Sequence, residues 1–193
     1  MHDRDDAVFA ELAGASLLIV GLGQIGKALA RRAKAFEMEV VGVRRTAGDP
    51  PPGADRVVTL DTLDEALGRA DHVCLALPLT PATHHLFDAA RLARMKPSAY
   101  LYNVGRGGLV AHAALVEALR LGAIAGAGLD VFDPEPLPPT DALWQLDNVI
   151  VTPHVSGVTP RYYERFAPLL AANVARWLEG RALENQYEAG RGY

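Results

Sequence analysis

The chain has 193 residues, 50% of them hydrophobic, with an ordinary share of charged residues and a formal net charge of -4. That length suits one α/β domain with a full-sized core, or one domain with a short appendage, and the composition is that of a globular chain. An acidic balance is not the basic footprint of a nucleic-acid binder, and no apolar run approaches the length of a membrane span.

The opening MHDRDDAVFAE is acidic and polar, unlike a secretory signal peptide. Cys74 is alone, so no intramolecular disulfide can form; it lies in the apolar run HVCLAL and reads as a small buried hydrophobe rather than a nucleophile. A cytoplasmic protein with neither a nucleic-acid nor a membrane partner is expected. The basic residues are almost all arginine, Lys27, Lys34 and Lys96 being the lysines.

Short apolar runs alternate with amphipathic segments along the chain, the signature of a mostly parallel sheet with helices on both faces. In chain order the expected strands are 16–21, 39–44, 56–60, 72–78, 99–105, 124–132 and 148–153. Helices are expected near 24–36, 63–68, 88–95 and 110–121, the last stopped by Gly122 as its C′ residue. The proline-rich stretches 48–54 and 133–140 must be loops. Thr159 and Pro160 have the chemistry to cap and open a final helix, stopped by Gly180. In that helix Tyr162, Phe166, Leu169, Leu170, Val174 and Trp177 form an apolar stripe at spacings of three and four. The division expected is residues 1–158 as the main domain, with 1–11 flexible, and 159–193 as a helix and polar tail.

The stretch GLGQIG, Gly21 to Gly26, carries the first functional signal. Three glycines in the pattern G-x-G-x-x-G are weak alone, but here a strand precedes them, a helix follows, and a second strand closes the unit. In that setting Gly21 permits a tight turn, Gly23 lets a pyrophosphate approach the backbone, and Gly26 lets helix pack closely on strand. The alternative is a strand-to-helix turn with no ligand. Gln24 and Ile25, at the start of the helix, join the glycines as expected cofactor contacts. About 20 residues on, an NAD-binding chain places Asp or Glu for the ribose hydroxyl. This one has Arg44, Arg45 and Thr46, and two guanidiniums suit a 2′-phosphate. NADP(H) is the expected cofactor. NAD(H) stays open, with two solvated arginines and Asp49 near the ribose.

Four polar residues then stand out at expected strand ends: Arg106, Asp130, Glu135 in the loop DPEP, and His154. Ligands of parallel α/β sheets bind outside the carboxyl ends of the strands, where all four map. Singly, each has an ordinary explanation: Arg106 pairing with a surface carboxylate, Asp130 capping a turn, Glu135 solvated among prolines, His154 bonded to a carbonyl. Together, beside a nicotinamide site, they point to chemistry. His72, His84, His85 and His112 match no catalytic position, and no cluster has metal-ligand spacing, so no metal is expected.

The motifs GLGQIGKALA, LALPLTPATHHLF, MKPSAYLYNVGRGGLV, ALVEALRLGAIAGAGLDVFDPEPLP, LDNVIVTPHVSG and WLEGRALEN occur in one order between about residues 12 and 186. In this the chain resembles the D-isomer-specific 2-hydroxyacid dehydrogenases, the family of glyoxylate/hydroxypyruvate reductases, phosphoglycerate dehydrogenase and D-lactate dehydrogenase. The resemblance implies a doubly wound Rossmann domain and hydride transfer between a nicotinamide cofactor and a small 2-oxo or D-2-hydroxy acid. It implies that Arg106 holds the substrate carboxylate and carbonyl, that Asp130 anchors the nicotinamide carboxamide, and that Glu135 and His154 are the acid/base pair. It adds Leu77, Pro78, Thr83, Val104, Gly105 and Gly157, with Arg106 and His154 themselves, to the expected cofactor contacts. A homodimer through the cofactor domain is implied, with 80–100 and 110–121 at the contact.

The family carries an N-terminal segment that builds most of a second, substrate-binding domain, whereas this sequence opens just before the first cofactor-domain strand. A fragment or a short form is expected, binding NADPH but reducing 2-oxo acids poorly or not at all, because closure of that domain completes the site. The other reading, from a different class, is a non-catalytic dinucleotide-binding or dimerisation module that senses a cofactor; turnover separates the two.

Overall fold

The computed structural model describes residues 10–187. The start expected to be flexible falls largely on 1–9, outside those residues, as does the end of the tail. The elements run β1 (Ser16–Val20), α1 (Gln24–Ala35), β2 (Glu39–Val43), β3 (Arg56–Val58), α2 (Leu63–Leu67), β4 (His72–Leu75), α3 (Ala89–Leu92), β5 (Tyr100–Asn103), α4 (His112–Arg120), β6 (Gly126–Leu129), β7 (Val149–Val151) and α5 (Tyr162–Leu178). Short 3-10 turns occupy Leu60–Thr62, Gly107–Leu109 and Ala142–Gln145.

All seven strands are parallel, in the order β3-β2-β1-β4-β5-β6-β7. The order reverses between β1 and β4, which makes that gap the switch point where such sheets open a crevice. The register sets Val58, Val43, Val20, Leu75, Asn103, Leu129 and Val151 in one row across the sheet. Every strand therefore ends on the same line, and every following turn departs from one rim.

Alternation along β1 divides the core. Leu18 and Val20 face one side with Val41, Val43, Val73, Leu75 and Leu101, under α2, α3 and α4. Leu17 and Ile19 face the other side, with Cys74 and the small face of α1. Each such aliphatic side chain removed from water contributes about 1.5–3 kcal/mol. α1 buries Gly26, Ala30 and Ala33, spaced so that the backbone lies close to the sheet. A Cβ at Gly26 would collide with the Gly21 carbonyl. Gly21 has φ 105°, and a Cβ there would come within 2.6 Å of the Ala76 oxygen, so the turn needs glycine twice over.

The alternating order of elements is the expected one, and the strands are shorter than the apolar runs suggested. Ala76, Leu77 and Pro78 continue the run of β4 in hydropathy, but the ladder to β5 stops at the pair Leu75 and Asn103. Likewise β6 stops at Leu129, so Asp130 is the first residue beyond it. Gly122 and Gly180 follow the ends of α4 and α5 with φ of 66° each, as C′ residues do. Thr159 and Pro160 do not open α5. The Thr159 carbonyl accepts from the Tyr162 N–H at 2.9 Å, so Pro160 and Arg161 are used in a turn and the helix starts at Tyr162 without a side-chain cap. Among the described residues its apolar stripe is left largely uncovered: none of the residues of α5 is buried, and of the stripe Leu169 alone is half-buried. No helix among the described residues is long and apolar enough to cross a membrane.

Candidate active site

The rim gathers the residues singled out in the sequence. After β1, the Gly21–Gly23 turn delivers α1 with Gly23 at its N-cap, no side-chain cap and no acid in its first turn. A Cβ at Gly23 would meet nothing within 4 Å, so no packing inside the chain requires glycine there. Open space before free helix N–H groups is what an anionic ligand needs. After β2, Arg44 folds onto its own loop, donating from Nε to the Thr46 carbonyl at 2.9 Å and from Nη2 to the Asp49 carbonyl at 3.2 Å. Arg45 and Thr46 are exposed beside it. After β4, Thr83 donates its hydroxyl to the Pro78 carbonyl at 2.8 Å, which folds the loop back beside Leu77.

Beyond β5 the chain turns sharply at Val104 and Gly105. Asn103, buried at the strand end, accepts from the Gly105 N–H at 3.1 Å and donates to the Arg106 carbonyl at 2.9 Å. Both sides of the Arg106 backbone are thereby fixed while its side chain remains exposed, donating to the Gly105 carbonyl at 2.7 Å. A Cβ at Gly107 would collide with the Phe132 carbonyl, so the loops bearing Arg106 and Glu135 abut.

Glu135 does not float among its prolines. Its Oε1 accepts from the Phe132 N–H at 2.9 Å, and its Oε2 pairs with His154 Nδ1 at 2.8 Å. The hydrogen bond with His154 comes first among the causes that hold the Glu135 carboxyl below its ordinary value. The Phe132 N–H acts the same way, burial opposes these two more weakly, and the charges of His154 and Arg106 add the smallest downward pulls. An ionised Glu135 accepts, so Nδ1 carries the proton between them and Nε2 is left free for chemistry.

Asp130, 3% exposed, takes three donors: the Thr152 hydroxyl at 2.5 Å and the Val155 N–H at 3.0 Å on Oδ1, and the Ser156 N–H at 3.0 Å on Oδ2. Burial pushes its carboxyl up, but the hydrogen bonds from Thr152, Ser156 and Val155 outweigh it and draw it down to about 2. Its ordinary explanation therefore holds, since it caps the turn that carries His154. Those of Glu135 and His154 do not, because the two bond each other. Gly157 lies in open space at the end of the same turn. Thr152 is not among the residues expected from the sequence; its only signal is a hydroxyl two positions before the histidine.

The other histidines among the described residues lie elsewhere. His72 stacks between Tyr100 and Tyr102 and bonds the Tyr102 hydroxyl at 3.0 Å, while His112 pairs with Asp141 at 2.9 Å. His84 and His85 stack on each other at 3.8 Å. Burial raises the Cys74 thiol to about 12, so it is a packing residue. Among the described residues no group of three or more His, Cys, Asp or Glu could hold a metal ion.

Residues 2–156 match the family described as D-isomer specific 2-hydroxyacid dehydrogenase, NAD binding domain. This chain belongs to that family. A glyoxylate/hydroxypyruvate reductase B of Citrobacter koseri is 44% identical over 173 residues, which are 88% of this chain and 52% of that protein. Among solved structures, a D-isomer specific 2-hydroxyacid dehydrogenase from Xanthobacter autotrophicus in complex with NADPH and MES superposes with a TM-score of 0.90 at 38% identity, covering 97% of this chain and 76% of that one. The NADPH-dependent glyoxylate/hydroxypyruvate reductase of Sinorhizobium meliloti, in complex with NADP and sulfate, gives 0.89 at 33% identity over 97% and 60%. The chain spans about half the length of the curated relatives it matches.

Proposed function

We propose that this chain forms the cofactor-binding and catalytic half of an NADP(H)-using dehydrogenase that reduces a small 2-oxo acid, such as glyoxylate or hydroxypyruvate, to the D-2-hydroxy acid. The observation that carries the reading is the 2.8 Å pair of His154 and Glu135 on the sheet rim, with the Arg106 loop against theirs. The space before Gly23 and the uncapped start of α1 fit a pyrophosphate. Asp130, a buried acid at the rim, is assigned to the carboxamide. The 2′-phosphate falls to Arg45 and Thr46, with Arg44 shaping their loop.

The cofactor, when bound, supplies the hydride that reaches C2. His154 supplies the proton: Nε2 gives it to the carbonyl oxygen, and Glu135 at Nδ1 stabilises the charged ring before transfer and holds its orientation. Arg106 orients the substrate carboxylate and offsets the negative charge growing on oxygen. In the reverse direction His154 takes the hydroxyl proton. A homodimer through the cofactor domain, with 80–100 and α4 at the contact, completes the proposal, and sedimentation equilibrium reads it directly.

Single-turnover reduction of glyoxylate or hydroxypyruvate with protein in excess over NADPH tests the assignment. Slow reduction is expected, with His154→Gln lowering it by about 10²–10⁴ while NADPH still binds. Reduction that His154→Gln leaves unchanged would overturn the proton-donor assignment, and NADPH binding with no reduction by this chain would favour the cofactor-sensing reading. For the cofactor, Arg44→Ala/Arg45→Ala should weaken NADPH by about tenfold or more and leave NADH nearly unchanged, about 1.4 kcal/mol per factor of ten. Equal NADH and NADPH affinities that the double variant leaves alone would end the NADP(H) assignment.

A further inference from the structure

His154 has φ 53°, a left-handed conformation that a non-glycine residue holds only when its surroundings impose it. Its own N–H bonds the Thr152 carbonyl at 3.1 Å, a tight local turn. On either side of it stand the groups that bond Asp130: the Thr152 hydroxyl before the histidine, and the Val155 and Ser156 N–H groups after it. One buried carboxylate thus holds the turn from both ends. Asp130 is itself fixed, being the first residue past β6, where its N–H donates to the Asn103 carbonyl at 3.1 Å. Asn103 in turn anchors the Arg106 backbone.

We propose that Asp130 and Thr152 are positioning residues that clamp the His154 turn and so aim its ring at Glu135. The inference rests on the reading of His154 as the proton donor and adds a second duty to Asp130, a residue the family resemblance ties only to the carboxamide. A carboxylate offers about four acceptor sites, so the clamp and a carboxamide contact are compatible. The Thr152 hydroxyl donates to Asp130, while the backbone N–H of the same residue bonds the Leu129 carbonyl at 2.9 Å, so a side-chain substitution there is the place to separate the two duties. Because Asp130 also hangs from Asn103, the loops carrying Arg106 and His154 are referred to a common point between β5 and β6. Cofactor contact at Asp130 would then act on the same carboxylate that sets the histidine.

Thr152 is exposed, so both Thr152→Val, which puts a methyl in place of the hydroxyl, and Thr152→Ala, which removes hydroxyl and methyl together, should fold. The readouts, taken on the chain without substrate, are the downfield proton resonance of the His154 Nδ1–H bonded to Glu135 and the hydrogen-exchange protection of the Val155 and Ser156 amides. In both variants the resonance should broaden or vanish and the two amides should exchange at least about tenfold faster. Thr152→Ser should restore both, because it keeps the donor. An unchanged resonance and unchanged protection in Thr152→Val and Thr152→Ala would overturn the clamp. So would failure of Thr152→Ser to restore them. None of these readouts requires turnover, so the enzymatic proposal can fail on the His154→Gln comparison while this one stands or falls by itself.

Discussion

β1 and α5 are both apolar segments, but they make opposite use of it. Four of the five residues of β1 are buried, and its two faces feed the two halves of the core. α5 has 17 residues and none is buried, with Trp177 70% and Tyr163 76% exposed. A period-two run inside a parallel sheet finds its neighbours among strands whose positions the fold dictates. A helical stripe only declares that some surface must cover it, and within the described residues only Leu169 of this one is even half-buried. The first kind of segment reports its own burial; the second reports a requirement.

That contrast can be broken by mutation. Leu101→Ala, in the middle of β5 and fully buried, should cost about 2–5 kcal/mol in chemical denaturation. The carboxylates at the two ends of the sheet come next. Asp130 at the rim and Asp71 at the opposite end both lie at about 2 in the folded chain, against an ordinary 3.8. For Asp71, burial pushes up, but the Lys96 pair at 2.7 Å and the Ser16 groups outweigh it. Both groups bind protons more weakly folded than unfolded, so their stabilising contribution is complete above 3.8 and fades as the pH falls towards about 2. Stability should therefore decline over that acid window, and Asp71→Asn should flatten the decline; a curve unaltered by the substitution would remove Asp71 from the account. The smallest effect should come from α5, where Trp177→Ala should shift stability by no more than about 0.5 kcal/mol. A cost as large as that of Leu101→Ala would mean that α5 is covered after all.

Much of this was legible in the residues. The βαβ unit around GLGQIG is legible because its glycines stand between a bounded apolar run and a helical pattern, with a second apolar run closing the unit. Glu135 and His154 could be paired in advance by family resemblance, although no spacing rule joins positions 19 apart, and the 2.8 Å contact bears the pairing out. Strand ends were overdrawn for a physical reason. Hydropathy continues through Ala76, Leu77 and Pro78, but the ladder stops where the neighbouring strand turns away. Thr159 looked like a cap because its side chain can cap, yet its carbonyl is engaged in a turn ahead of the helix. Thr152 carries no further sequence signal because threonine is ordinary in strands and the acid it bonds is 22 positions away. The two roles of Arg44 and Arg45 also diverged only in three dimensions, one guanidinium closing its own loop while the other stays exposed.

The row from Val58 through Val20 and Asn103 to Val151 has a bearing on how such a chain tolerates change. Since each turn is hinged at its own strand terminus, a graft or insertion in one leaves the take-off points of the rest undisturbed. A slip of a single residue inside β6 is another matter. It would invert that strand's sides, carry Asp130 off the edge, and uncouple the histidine from the arginine without altering either one.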